Sequence, residues 1–220
     1  MRGARRRALL RELSGGLRPH GRRRLRTGGR VRGGGIRRAR GVRRGGEAVQ
    51  TNDWSSTLAE AILANGYSTV AYVPDEVADA VVQLLHRNGS MTMVSVTREE
   101  EGMAVVAGAF LGGKRGVLVC QGSGIGNSVN ALCGLAIGYQ IPFLMVISER
   151  GRLGEFNPVQ TPLGRALPKI FDALGLQAFW LDDAGRIGDV VEGATKLAFS
   201  SSLPVAIVLP TTLTGGKTFR

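Results

Sequence analysis

Histidine is almost missing from this chain. Its 220 residues hold two, and only His86 lies beyond the first 46. Beside Arg87-Asn88-Gly89, His86 suits a solvated place at a helix C-terminus. Without a second histidine or a cysteine cluster, a zinc site or a Ser-His-Asp triad is hard to build, and no metal-ligating set stands out. Cysteine is as scarce. Cys120 and Cys133 are too far apart for a CxxC pair and both fall in apolar segments. They read as buried small hydrophobes in a reducing compartment, the cytoplasm. No apolar run reaches the ~18 residues that a bilayer span requires, which predicts no membrane association. An enzyme made from this chain would take its hard chemistry from a cofactor.

Acidic residues are missing from one end only. Residues 1–46 hold 17 Arg, no Lys and the single acid Glu12. The remainder has 12 basic against 16 acidic residues, a net of −4, so the formal charge of +12 belongs to this arm and not to the body. Composed almost only of Arg, Gly, Ala and Leu, the arm has too little apolar surface to offset its ordering entropy and is expected to be disordered. Three readings compete: a nucleic-acid-binding tail held by phosphate charge, an Arg-rich transit peptide, and an upstream stretch translated from too early a start. In the third, the natural chain begins at Val49, behind a ribosome-binding-like run encoding Gly45-Gly46-Glu47.

From Glu47 to Arg220 the chain is long enough for one domain with a proper core. Short β-rich runs alternate with helical patterns. STLAEAILANG reads as a helix with Ser55 or Ser56 as N-cap and Asn65-Gly66 as its end. TVAYV, MTMVSV, GVLVCQ, PFLMVIS, QAFWLD and PVAIVLP read as strands, with helical segments between them. PFLMVIS shows no polar alternation, which predicts burial on both faces. GRALPKIFDALG reads as helical only after Pro168. Six strands interleaved with helices predict an α/β fold, a doubly wound, mainly parallel six-stranded sheet covered on both faces.

Ligands of such sheets sit at the carboxyl ends of strands. That rule selects the loops VPDE, TREEE, QGSGIGN and SERGR. QGSGIGN, residues 121–127, offers Gly122 and Gly124 as the first two glycines of GxGxxG, and Glu149 ends the next strand where a ribose-binding acid would sit. Asn127 stands where the third glycine belongs, and no Lys-Ser/Thr pair follows to make a P-loop. A Rossmann-type NAD(P)-dependent oxidoreductase, a glycine turn made for packing, and a binding module acting through the Arg-rich arm all remain open at this point. So do two readings of Glu99-Glu100-Glu101: acids placed at a helix start for its dipole, or a carboxylate that does chemistry.

TREEEGMAVVAGAFLGGKRGVLVCQGSGIGNSVNAL resembles the pyrimidine-binding domain of thiamine-diphosphate-dependent decarboxylases, within them the sulfopyruvate and phosphonopyruvate decarboxylase group. The family pattern is a Glu, a helix of the form E-x-x-A/G-x-x-x-A-x-G, then GK, a hydrophobic strand and a Gly-rich loop. Placing Gly108 on the final glycine puts the family's Glu at Glu99 and Gly102 at the small position. VPDE, VISERG and NPVQTPLGRALPKIFDALG resemble the same group, and the likeness covers residues 53–213. It implies that Glu99 shares a proton with the aminopyrimidine ring, with Glu101 as the register-shifted alternative. It implies further that Gln121, Ser123, Gly124 and Asn127 line the cofactor, and that Asp75, Arg150 and Gln160 face a small anionic 2-oxo acid. The family holds the diphosphate and its Mg²⁺ through a second domain with a GDG motif. Here Gly188-Asp189 is followed by Val, and these 220 residues are expected to hold no second domain. The resemblance therefore implies a hetero-oligomer in which a β subunit supplies the diphosphate site.

Overall fold

The computed structural model describes residues 53–217; the arm, and with it all three readings of residues 1–46, lies outside the described residues. The first helix, α1 (Asp53–Ala64), already runs at Asp53, so Ser55 and Ser56 lie in its first turn instead of capping it. There follow β1 (Tyr67–Tyr72), α2 (Asp79–Asn88), β2 (Thr92–Ser95), α3 (Glu99–Leu111), β3 (Arg115–Gln121), α4 (Gly122–Ala131) and β4 (Leu144–Ser148). The second half adds α5 (Thr161–Ala173), β5 (Gln177–Trp180), α6 (Ile187–Ser201), β6 (Val205–Leu209) and the single turn α7 (Thr211–Thr214).

All six strands pair in parallel, in the order β2-β1-β3-β4-β6-β5. Side chains alternate across the strands, so each helix layer meets its own set. Val70, Val119, Val146 and Ile207 face α1, α2 and α6 through Leu58, Ile62, Leu85 and Val191. Ala71, Leu118, Met145 and Val208 face α3, α4 and α5 through Met103, Val106, Ile125 and Phe171. β4, at the centre, is buried along its whole length, as its unbroken apolar run predicts. Among the described residues no helix is long and apolar enough to cross a membrane.

Three expectations are corrected. Gly122 to Asn127 form the first turns of α4, not a loop. α4 then runs into a π-helical turn, Leu132–Ile137, which rotates the residues that follow; Leu132 and Ala136 stay buried while Cys133 is exposed. Cys120, by contrast, is buried. Finally, α5 begins at Thr161, with Pro162 in its first turn, and passes straight through Pro168. A strong amphipathic pattern, with Leu167 and Phe171 buried, outweighs the one backbone bond that Pro168 cannot donate.

The topology leaves one switch point. The chain leaves β1 toward α2 on one face and leaves β3 toward α4 on the other, so a crevice opens between the carboxyl ends of these neighbours.

Candidate active site

The three adjacent carboxylates at the start of α3 do three different things. Glu100 pairs with Arg98 at 2.8 Å. Glu101 accepts from the Thr97 amide at 2.9 Å and the Thr97 hydroxyl at 3.0 Å, closing the N-terminal turn, and these bonds hold its carboxyl below the usual range. Glu99 turns inward. Its carboxyl group lies against Gly124 of α4, where any β-carbon would fall 1.8 Å from the carboxyl carbon. The glycine is therefore a seat for an acid.

Two more glycines set the distance between helix and sheet. A β-carbon at Gly102 would strike Leu118, and one at Gly116 would come within 2.7 Å of Val106. Together they draw α3 onto β1 and β3 and so bring Glu99 over the crevice. Beneath it lies Cys120, wholly buried, whose thiol is pushed far up by burial first and then by the nearby charges of Glu99 and Asp75. One thiol thus feels both carboxylates, Asp75 from the end of β1 and Glu99 from the start of α3.

Asp75 follows Pro74 in the turn before α2, and its Oδ2 accepts from the Ala78 amide at 3.4 Å. The side chain is 2% exposed. Its counter-charge comes from the far end of the chain: Lys217 Nζ lies 2.7 Å from Oδ1, an ion pair whose angle falls outside hydrogen-bond geometry. The same ammonium donates to Gln121 Oε1 at 3.0 Å. Gln121 also accepts from Arg150 Nη1 at 2.8 Å, and its own amide nitrogen donates to Ser123 Oγ.

Arg150 is buried and held in a fork by Glu155, with Nε to Oε2 at 2.7 Å and Nη2 to Oε1 at 2.8 Å. Glu155 collects two backbone donors as well, the amides of Gly151 and Asn157, each at 2.9 Å. The Arg150 guanidinium, followed by these amides, holds its carboxyl down at about 2. This packing is tight. Gly151 has φ +73° and lies so close to the Gln160 carbonyl that no β-carbon fits, and Gly164 touches the Arg150 carbonyl. Gln160 thus meets the site through its backbone, whereas Asn127 is exposed on α4.

The network therefore brings together Asp75, Gln121, Ser123 and Arg150, with Glu99 and Gly124 immediately beside them. Lys217 and Glu155 were not singled out in the sequence. Neither lies in a periodic segment; Lys217 meets Asp75 from a different strand end, and Glu155 meets Arg150 across five residues of an irregular loop, a separation that matches no helix or strand period. Glu149, the acid expected of a dinucleotide site, accepts from Trp180 Nε1 at 2.7 Å. Gly124, where a pyrophosphate would have to approach the backbone, already carries the Glu99 carboxylate. Both observations weigh against a nicotinamide site.

No family model matches the chain. Individual proteins do. Over 155 residues it is 36% identical to the sulfopyruvate decarboxylase subunit alpha of Methanococcus maripaludis, covering 70% of this chain and 93% of that one. It is 32% identical over 158 residues to a phosphonopyruvate decarboxylase of Streptomyces viridochromogenes, covering 71% of this chain but 40% of that one. A 2-oxoglutarate:ferredoxin oxidoreductase from Magnetococcus marinus shares the fold, with a TM-score of 0.58 at 16% identity over 73% of this chain and 29% of the other.

Proposed function

Because the chain belongs to the sulfopyruvate decarboxylase alpha-subunit family, within the wider sulfopyruvate and phosphonopyruvate decarboxylase group, we propose that it is the pyrimidine-binding subunit of a heteromeric, thiamine-diphosphate-dependent decarboxylase. Its substrate is a small 2-oxo acid with a second anionic group, such as 3-sulfopyruvate or phosphonopyruvate. One observation carries the reading: the Glu99 carboxyl group, alone of the three at the start of α3, sits on a glycine at the switch-point crevice. That arrangement fits an aminopyrimidine, because a carboxyl group held at one point can share a proton with a ring nitrogen.

In this reading Glu99, Gln121, Ser123, Gly124 and Asn127 hold the pyrimidine half of thiamine diphosphate. When bound, that cofactor supplies the electron sink that accepts the pair left behind by departing CO₂. Glu99 holds and returns a proton at the ring. Gly124 keeps the space that Glu99 needs, and Gln121 with Ser123 orders the first turn beneath it. Asp75, Arg150 and Gln160 bound the substrate side. Arg150 uses three of its five N–H donors within the protein and keeps two for an anionic group.

The diphosphate and its Mg²⁺ fall to a partner subunit. Relative length supports this: the chain matches nearly the whole of an alpha subunit but 40% of a phosphonopyruvate decarboxylase. In this reading the remainder of the longer enzyme corresponds to a second polypeptide.

The test is CO₂ release from 3-sulfopyruvate by the chain purified with its partner and supplied with thiamine diphosphate and Mg²⁺. Glu99→Gln should reduce turnover by roughly 10²-fold or more, with assembly and melting unchanged, since it removes a proton-sharing group from the chemical step. Near-normal turnover in that variant, together with an inactive Glu101→Gln, would move the role two residues along the helix.

A further inference from the structure

A lysine near the end of the chain reaches the switch point from two strands away. β6 is separated from β3 by β4, so a residue following β6 must cross about 10 Å of sheet edge to touch β3. After α7, Gly215 and Gly216 both take positive φ, +77° and +70°, a pair of left-handed residues that a side chain would disfavour. The Gly216 amide donates to Thr214 Oγ1 at 3.2 Å, and Thr211 Oγ1 donates to the Leu153 carbonyl. The segment is thus folded back by its own bonds, and Lys217 is its tip.

What Lys217 meets there is unlike a surface salt bridge. Asp75 is 2% exposed and Lys217 is 19% exposed, so the carboxylate has been taken almost wholly out of water and depends on this ammonium for its counter-charge. The other contact is with a neutral amide. Gln121 Oε1 receives Lys217 from one strand end and Arg150 from another, and both are cations. Two cationic donors on one oxygen leave the amide a single orientation: Oε1 toward the charges, Nε2 toward Ser123. Ser123 is in the first turn of α4, and the next residue, Gly124, is the seat of Glu99.

We propose that Lys217 is a positioning residue that clamps the crevice between β1 and β3: it neutralises Asp75, fixes the Gln121 amide, and through Gln121 holds the turn on which Glu99 rests. Its charge is spent on Asp75, so it acts through its neighbours. The effect on turnover rests on the decarboxylase reading; the effect on Gln121 does not.

The experiment has one arm for each. In the ¹⁵N-labelled full chain, the Gln121 side-chain amide resonances, assigned through their loss in Gln121→Met, should move in Lys217→Met and stay close to the wild-type position in Lys217→Arg. Should Lys217→Met fail to fold with Asp75 left unpaired, the charge-balanced double variant Asp75→Asn/Lys217→Met provides the same readout. Unmoved Gln121 resonances in the folded Met variant would overturn the clamp. In the complex with its partner, Lys217→Met should lower kcat for 3-sulfopyruvate about tenfold or more with KM within about twofold, and Lys217→Arg should recover most of the rate. A Met variant with full kcat would overturn the catalytic consequence. If the wild-type complex releases no CO₂ from any 2-oxo acid while the resonances move as expected, the decarboxylase reading falls and the clamp stands.

Discussion

Glu99 and Gly124 are a pair in which each residue makes sense only through the other. A glycine inside a helix costs roughly 1 kcal/mol against alanine, and a carboxylate facing inward gives up hydration; here the missing β-carbon is the space the carboxylate fills. Gly124→Ala should therefore destabilise the chain by about 1–3 kcal/mol, the usual cost of forcing a carbon into a filled site, and reduce turnover with it. In Glu99→Ala/Gly124→Ala the stability should return while the turnover does not. Denaturant melts of the single and double variants check this, and simple additivity of the two losses would show that the residues do not meet. Three consecutive acids at a helix start were legible both as a helix start and as a candidate site. Which acid does what was not legible in the residues alone, though the resemblance implied Glu99, because the choice depends on Thr97, Arg98 and Gly124, and Gly124 arrives from another helix.

At the level of elements, the segment after β4 is the part least like its sequence. Residues 149–162 carry no regular apolar period, yet Glu155 ties the segment down with two bonds to Arg150 and two to backbone amides. Breaking a buried pair of this kind costs about 3 kcal/mol, so Glu155→Gln should be less stable than wild type by that order at neutral pH. The pH dependence has a definite sign. Glu155 is held at about 2 in the folded chain against an ordinary 4.5, so its contribution is complete above 4.5 and is lost as the pH falls from there toward 2. Urea melts across that window should show wild type and Glu155→Gln converging as the medium is acidified. A constant difference would mean that Glu155 is not ionised in the fold. The glycine-rich start of α4 misled in the opposite direction. Gly122, Gly124 and Gly126 promise a loop by propensity, but each packs against a close neighbour: Ser148 and Leu167, Glu99, and Leu163, with Gly124 leaving no room at all for a β-carbon. Packing decided a conformation that local preference opposes. The π-helical turn that exposes Cys133 has no signature in a run as uniformly apolar as LCGLAI.

For the whole molecule, the order β2-β1-β3-β4-β6-β5 gathers residues 75, 99, 121, 150 and 217 at one edge of one sheet. A site spread so widely along the chain, with the diphosphate half assigned to a partner, should be active only as an assembly. Native mass spectrometry of the protein purified gently from its own cells should record a heteromer carrying thiamine diphosphate and Mg²⁺, and the separated chain should release no CO₂ until the second subunit is restored. An isolated chain that turns over 3-sulfopyruvate would overturn the composite site. The strands, the burial of β4, the α/β class and the segments that follow the strands' carboxyl ends were determined by the sequence by itself, because hydrophobic periodicity and chain connectivity are local quantities and the right-handed crossover leaves few topologies open. Only the tertiary structure decided that Glu99 is the inward acid, that Arg150 is forked by Glu155, and that Lys217 completes Asp75. The first and last depend on distances between segments far apart in the chain, and the fork, between residues five apart, depends on how an irregular loop closes; burial raises the worth of each contact and no periodic spacing records it.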